Sequence, residues 1–318
     1  MVDDSATPVV SVIVPARNAE DTIGRALEAL TRQRVAVPYE VIVVDNGSTD
    51  ATRAIIERAG EPVRCVAGPG RGPGEARNRG AGGARAGLLA FTDSDCVPAD
   101  GWLEAGLRAL ERFDLVQGKV LPDPAAELRP FDRTLWVTED HGLYETANLL
   151  VTKAVFERVG GFEDWLTPRT GGPLGEDVWF GWRARRSGAR PGFCATALVH
   201  HAVFPRAPLG YVAERRRLQH FPALARRIPE LRRALFFRGV FLNRRSAVFD
   251  AAVVAGLLAI ARRSALPLAG ALPYLLMAAR HARRGRSMTA VAVIDLLADL
   301  AGMEALARGS ITSRSLLI

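Results

Sequence analysis

Val9-Val10-Ser11-Val12-Ile13-Val14, closed by Pro15, and Glu40-Val41-Ile42-Val43-Val44-Asp45 are two β-branched runs separated by an amphipathic segment. Unbroken apolar runs of this length, rich in Val and Ile, read as strands covered on both faces. Between them Ile23, Leu27 and Leu30 recur at helical spacing, with Asp21 and Thr22 as candidate caps. The stretch is therefore a β-α-β unit.

The same alternation continues outward. Asp50 is placed to cap a helix reaching Ala59-Gly60, Val63-Arg64-Cys65-Val66 is a short strand, and a Gly/Ala-rich helix over 75–86 leads into the strand Gly87-Leu88-Leu89-Ala90-Phe91-Thr92. Leu103, Leu107 and Leu110 mark a helix after Asp100, residues 115–121 a strand, and 122–130 a loop rich in Pro and acid. Thr152 caps a short helix ending at Gly160-Gly161, and Phe193 to Val199 is a further strand. Strands alternating with helices predict an α/β domain with a mainly parallel sheet. Ligands on such sheets sit beyond the carboxyl ends of the strands, where Pro15-Ala16-Arg17-Asn18, Asp45-Asn46-Gly47-Ser48 and Asp93-Ser94-Asp95 all fall.

Asp93 and Asp95 lie two residues apart at a strand end, so their carboxylates project to one side. Paired hard oxygen donors suit Mg²⁺ or Mn²⁺, which complete their shell with water and substrate phosphates. The plainer alternative is a solvated turn. Downstream, the Gly- and Pro-rich stretch from Thr167 to Gly175 has the composition of a substrate lid and precedes Glu176-Asp177.

The 318-residue chain is globular in composition, with 48% hydrophobic and 24% charged residues. Its net charge of +8 is uneven: from His200 onward there are 19 Arg, no Lys and 6 acidic residues, giving +13, against −5 before it. Such a tail suits an anionic lipid surface or nucleic acid. Cys65, Cys96 and Cys194 have no metal or disulfide spacing and read as reduced cytosolic thiols. The acidic N-terminal residues have no apolar core of a secretory signal.

We expect residues 1–205 to be the catalytic domain and 206–318 a helical extension: basic helix over 208–245, apolar runs over 251–261 and 265–279, and a last helix over 289–308 stopping at Gly309. Neither apolar run reaches the roughly 20 residues of a membrane span. Packing on the catalytic domain and attachment at a membrane surface both remain open for this extension.

The ordered series Val12-Ile13-Val14-Pro15-Ala16-Arg17-Asn18-Ala19-Glu20, Val43-Val44-Asp45-Asn46-Gly47-Ser48-Thr49-Asp50, Ala76-Arg77-Asn78-Arg79-Gly80, Phe91-Thr92-Asp93-Ser94-Asp95, Asn148, Gly160-Gly161-Phe162 and Gly175-Glu176-Asp177 followed by Arg183 resembles the family 2 glycosyltransferases. The resemblance covers about residues 9–201 and implies the GT-A fold, a nucleotide-sugar donor and an inverting reaction, with a divalent metal, Mn²⁺ or Mg²⁺, as cofactor. It implies that Asp45 holds the base, with Asn46 where many relatives carry a second Asp, and that Pro15, Ala16 and Asn18 line the nucleotide pocket. Arg77 would meet the base or diphosphate, and Asp93 the metal or ribose. Asp95 is the implied metal ligand, joined by His201 of the pair His200-His201. Asp177 is the implied general base, Glu176 orients the acceptor or the loop, and Asn148 lies on the acceptor side. A residue like Asp177 also suits a helix N-terminus for its dipole alone.

The expected acceptor is a glycan, lipid-linked or natural-product hydroxyl of the kind used in cell-envelope or polysaccharide synthesis. The expected location is the cytoplasm, peripheral to an anionic membrane surface. A nucleotidyltransferase is the nearest enzyme alternative, but Pro15-Ala16-Arg17-Asn18 lacks the glycines of its phosphate loop. Nucleic acid is the weaker partner for the basic tail, whose Arg-rich stretch has few interleaved aromatics.

Overall fold

The computed structural model describes residues 7–318 apart from 168–173, 284 and 286. The chain divides into two units, one running to Ala126 and resuming over Thr134–Val203, the other made of Glu127–Arg133 and Phe204–Ile318.

The first unit runs β1 (Val10–Ala16), α1 (Ile23–Thr31), β2 (Tyr39–Asp45), α2 (Thr52–Arg58), β3 (Val63–Ala67), α3 (Pro73–Gly82), β4 (Leu88–Thr92), β5 (Cys96–Pro98), α4 (Trp102–Leu110), β6 (Leu115–Pro122), β7 (Asn148–Thr152), α5 (Lys153–Arg158), α6 (Glu176–Arg186) and β8 (Pro191–His201). One eight-stranded sheet has the order β3-β2-β1-β4-β7-β6-β8-β5. The first four strands are mutually parallel, with Val14 beside Val43 and Ile13 beside Phe91. β7 then runs antiparallel between β4 and β6, β8 is parallel to β6, and β5 is antiparallel to β8.

The β-branched runs form strands because both faces are covered: Val10, Val12, Ile13, Val14 and Val41 to Val44 are all fully buried. Ile23, Leu27 and Leu30 supply the helix face that covers them, with Trp102 and Leu103 of α4 in the same core. Thr152 caps α5 as expected, its hydroxyl accepting the Val155 amide at 3.4 Å. Thr22 makes no side-chain cap.

The second unit consists of α7 (Pro208–Glu214), a 3₁₀ turn (Arg215–His220), α8 (Phe221–Arg227), α9 (Leu231–Ala234), α10 (Arg244–Arg262), a second 3₁₀ turn (Leu266–Ala271), α11 (Leu272–Ala282) and α12 (Met288–Ser313). Two expectations are corrected here. The basic helix over 208–245 is broken into short pieces, with Pro222 and Pro229 at the breaks. Gly309 does not end the last helix, which runs on to Ser313; a Cβ at Gly309 would collide with the Gln219 backbone, so this glycine permits close packing. Among the described residues no helix is long and apolar enough to cross a membrane.

Candidate active site

Because β1 to β4 are parallel, their carboxyl ends share one edge, and the loops leaving them gather there. A cleft of about 500 Å³ opens on this edge, lined by Pro15, Ala16, Arg17, Asn46, residues 70–73, Arg77 and Asp93 to Asp95. Asp45 is buried beside it, one oxygen accepting the Ser48 amide at 3.1 Å. Asn46 is the residue that lines the cleft, its Oδ1 accepting the Gly70 amide at 2.9 Å and its Nδ2 donating to the Arg71 carbonyl. Asn18 does not reach the cleft lining. In the left-handed region with φ 47°, it donates its own amide to the Ser48 hydroxyl at 3.0 Å and accepts the Thr49 amide on its Oδ1 at 2.9 Å, tying two loops together.

Arg77 of α3 organises the centre. It is 4% exposed, with Nη2 2.6 Å from Asp93 Oδ1 and Nη1 3.8 Å from Glu176 Oε1. Burial opposes its charge, but Asp93, Glu176 and Asp177 together raise its pKa further. One guanidinium thus spans the loop after β4 and the first turn of α6. Behind it Phe162 packs on Phe91 and Phe180, with ring centroids 5.2 and 4.7 Å apart.

That backing is fixed by the turn after α5. Asn78 accepts the Phe162 amide and donates to its carbonyl, both at 2.8 Å, while Arg183 donates to the carbonyls of Val159 and Gly161. Gly161 has φ 69° and a Cβ there would meet Asn78 Oδ1, so only glycine fits the clamp. Arg183 therefore holds α6 in place.

Asp177 is partly exposed at the start of α6, its Oδ1 accepting the Val178 amide at 2.7 Å. Burial first, then Glu176 and Glu145, push its carboxyl well above the ordinary range. Glu145 is a residue the sequence did not single out. Burial pushes it up to about 7. Its neighbour Tyr144 packs where a Cβ on Gly181 of α6 would stand, which brings the 144–148 segment against the helix that carries Asp177.

The β5–β8 pairing sets Cys96 opposite His201, and the Ala202 amide donates to the Asp95 carbonyl at 2.9 Å. Asp95 Oδ2 and His201 Nε2 stand 3.6 Å apart, and Cys96 Sγ joins them within 4.8 Å. His201 Nδ1 lies 2.6 Å from the Ala202 carbonyl, an acceptor that places a proton on Nδ1, and Nε2 is the ring nitrogen turned toward Asp95. A carboxylate oxygen and an imidazole nitrogen at this spacing form an ion pair when the ring is protonated and suit a divalent cation when Nε2 is free of its proton. Asp93 is outside this cluster because its Oδ1 is engaged by Arg77. Burial, followed by Asp93 and opposed by His201, raises the Asp95 carboxyl. Burial likewise holds the Cys96 thiol protonated.

Asn148 is not on an acceptor surface. It is fully buried at the start of β7, donating to the carbonyls of Lys119 at 2.9 Å and Ala197 at 2.7 Å and accepting from Trp102 Nε1 at 2.8 Å. Every polar group of the amide is used in joining strands to α4. The expected lid over 167–175 lies largely outside the described residues. Arg17 and Arg71 went unassigned in the sequence; the run Gly68-Pro69-Gly70-Arg71-Gly72-Pro73 after a strand was the available signal for the second.

A mixed sheet whose parallel edge gathers acidic and basic side chains around one cleft is the architecture of the GT-A fold, which solved glycosyltransferases share with this chain. The sequence model described as Glycosyl transferase family 2 matches residues 11–162. Glycosyltransferase AglE of Haloferax volcanii is 32% identical over 221 residues, covering 65% of this chain and 70% of that protein. The mannosyltransferase PcManGT from Pyrobaculum calidifontis, solved with GDP-Man and Mn²⁺, superposes with a TM-score of 0.63 over 95% of this chain and 88% of its own, at 22% identity. Residues 1–349 of S. aureus TarS, solved with UDP-GlcNAc, give a TM-score of 0.52 over 96% and 92% at 18% identity. The chain belongs to glycosyl transferase family 2 and is a glycosyltransferase.

Proposed function

We propose that the protein is an inverting, metal-assisted transferase that moves a sugar from a nucleotide-diphosphate donor to an acceptor hydroxyl, and that its Arg-rich extension holds it at an anionic membrane surface. The observation that carries the transfer reading is the buried Arg77 guanidinium joining Asp93 at the cleft to Glu176 beside Asp177. It fixes the donor side and the base side of one reaction in a single rigid arrangement. GDP-Man with Mn²⁺ in PcManGT and UDP-GlcNAc in TarS support the donor class.

The acceptor oxygen attacks the anomeric carbon while the bond from that carbon to the diphosphate breaks. The hydroxyl proton passes to the Asp177 carboxylate, and the electron pair leaves on the diphosphate. Asp95 and His201 would hold the cation, which when bound supplies Lewis-acid stabilisation of the diphosphate charge. Exposed Arg17 and Arg71 at the cleft add cationic partners for the phosphates, and Asp45 with Asn46 receives the base. The raised pKa of Asp177 strengthens it as a base and moves the acid limb of the rate profile toward neutrality, because protonation disables it at a higher pH than an ordinary carboxyl. The acceptor is a glycan, lipid-linked or natural-product hydroxyl.

The test is release of nucleotide diphosphate from a panel of UDP- and GDP-sugars with and without Mn²⁺. Release should need the metal and fall at least about a hundredfold in Asp95→Ala. Undiminished release in that variant, with or without metal, would sink the proposal.

A further inference from the structure

The second unit has a buried apolar core that includes Leu224, Ile228, Leu231 and Phe249, yet it also turns an unusual number of leucines to the outside. Among the described residues, every exposed large hydrophobic side chain except Val9 and Trp136 belongs to it. They follow helical spacing. Val254, Leu257 and Leu258 form an outward stripe on α10, Leu272, Leu275 and Leu276 one on α11, and Val293, Leu296, Leu297 and Leu300 one on α12. The 3₁₀ turn between α10 and α11 adds Leu266, which is 83% exposed.

The inward faces carry what a water-facing helix would put outside. Asp295 of α12 is fully buried, 2.6 Å from His281 Nδ1 and 3.3 Å from Arg245. Arg245 also holds Asp299 at 2.7 Å, and the Tyr274 hydroxyl donates to Asp299 at 2.9 Å. Besides Val291 and Leu306, the inward face is small: Ala298, Gly302, Ala305 and Gly309 recur along α12, and Gly302 and Gly309 pack against Leu218 and Gln219. Ionic groups paired inside, small residues at the helix contacts and leucines outside make up the arrangement of helices solvated by hydrocarbon.

The charges say which hydrocarbon surface. Exposed arginines stand at the helix ends: Arg244, Arg262 and Arg263 bound α10, and Arg280 and Arg283 close α11. Such flanking cations meet lipid phosphates while their stems remain in the apolar layer. The surplus of +13 from His200 onward opposes self-association through the same face. No described helix is long and apolar enough to cross a bilayer, which leaves embedding from one side.

We infer that α10, α11, the turn between them and α12 insert their leucine stripes into the acyl boundary of one leaflet of an anionic bilayer. This rests on the membrane-attachment reading above and adds that apolar insertion, with electrostatics as a secondary contribution, carries the attachment. The experiment is flotation of the full chain with vesicles of phosphatidylglycerol and phosphatidylcholine at about 0.1 M and about 1 M NaCl. The comparison is with Leu257→Asp/Leu275→Asp/Leu296→Asp, whose exposed positions leave the fold intact by circular dichroism and leave nucleotide diphosphate release unchanged.

The parent should stay bound at the higher salt, and the triple variant should lose about a hundredfold or more in partitioning. Binding abolished by salt and retained by the triple variant would overturn insertion while leaving electrostatic attachment standing. No binding in either salt would overturn both. A lipid-free parent dimer that the triple variant converts to monomer, read by light scattering, would show that a second copy covers the face and would equally overturn the inference. Sugar transfer is read separately, so its failure is distinguishable from each of these outcomes.

Discussion

In the first unit valines and isoleucines lie inside while charge collects at one edge of a sheet; in the second, many leucines of α10, α11 and α12 face out and the carboxylates Asp295 and Asp299 are held inside. The two units are folded by different balances. The sheet unit gains from removing β-branched side chains from water and offsets its buried carboxylates with arginines, Glu176 with Arg77, Glu40 with Arg85 and Asp123 with Arg25. The helical unit buries Leu224, Ile228, Leu231 and Phe249 but leaves the leucines of α10, α11 and α12 facing out, and adds small-residue packing and one ionic network. The first is built to bring a polar reaction together, the second to meet an apolar surface.

The largest effect that would sharpen this contrast is confined to the first unit. Asp177→Asn should lower transfer by about a hundredfold to ten-thousandfold while UDP or GDP binding, read by calorimetry, stays within about threefold. Retained transfer would remove Asp177 from the base role. Next comes the matching change in the second unit. Arg245→Leu removes the cation shared by Asp295 and Asp299, leaving fully buried Asp295 to His281 alone, and should cost about 3 kcal/mol or more in denaturant unfolding. A neutral result there would break the claim that the ionic network stabilises that unit.

Asn148→Leu should cost about 3 kcal/mol through the abandoned Trp102 donor and two carbonyl acceptors, with kcat per folded molecule little changed. A lost kcat in a stable variant would return Asn148 to the acceptor side. The effect confined to a single pH window concerns Glu145. The fold keeps it protonated to about 7 whereas the unfolded chain releases that proton near 4.5, so the folded state binds the extra proton between these values and stability falls as pH rises across them. Glu145→Gln should match the parent near pH 4, remove that slope in thermal melts, and be the more stable protein above pH 7.

Much of the first unit is legible because its strands are long apolar runs: Val10–Ala16, Tyr39–Asp45 and Leu88–Thr92 announce themselves, and their polar ends point to the cleft. β5 has only three residues and β7 abuts the helix that follows it, so neither has a period to read. Arg77, Asp95, Asp177 and His201 are visible through family resemblance, but their distances come from packing between segments far apart in sequence. Asn148 and Glu145 show the limit from both sides. The first is polar yet wholly consumed by core hydrogen bonds, and the second matters through Tyr144 packing under α6. In the last helix the stripe of Asp295 and Asp299 is readable, while which face turns inward is not, because leucines alone are compatible with either side.

Hydrogen exchange on the full chain, with UDP or GDP plus Mn²⁺ in one arm and anionic vesicles in the other, tests the division of labour most directly. Nucleotide should slow exchange at residues 15–18, 45–48, 70–77 and 93–96 and leave 250–300 unchanged, whereas vesicles should slow 254–276 and 293–300 and leave the strand ends unchanged. Nucleotide protection centred on the helices, or vesicle protection centred on the sheet edge, would overturn it.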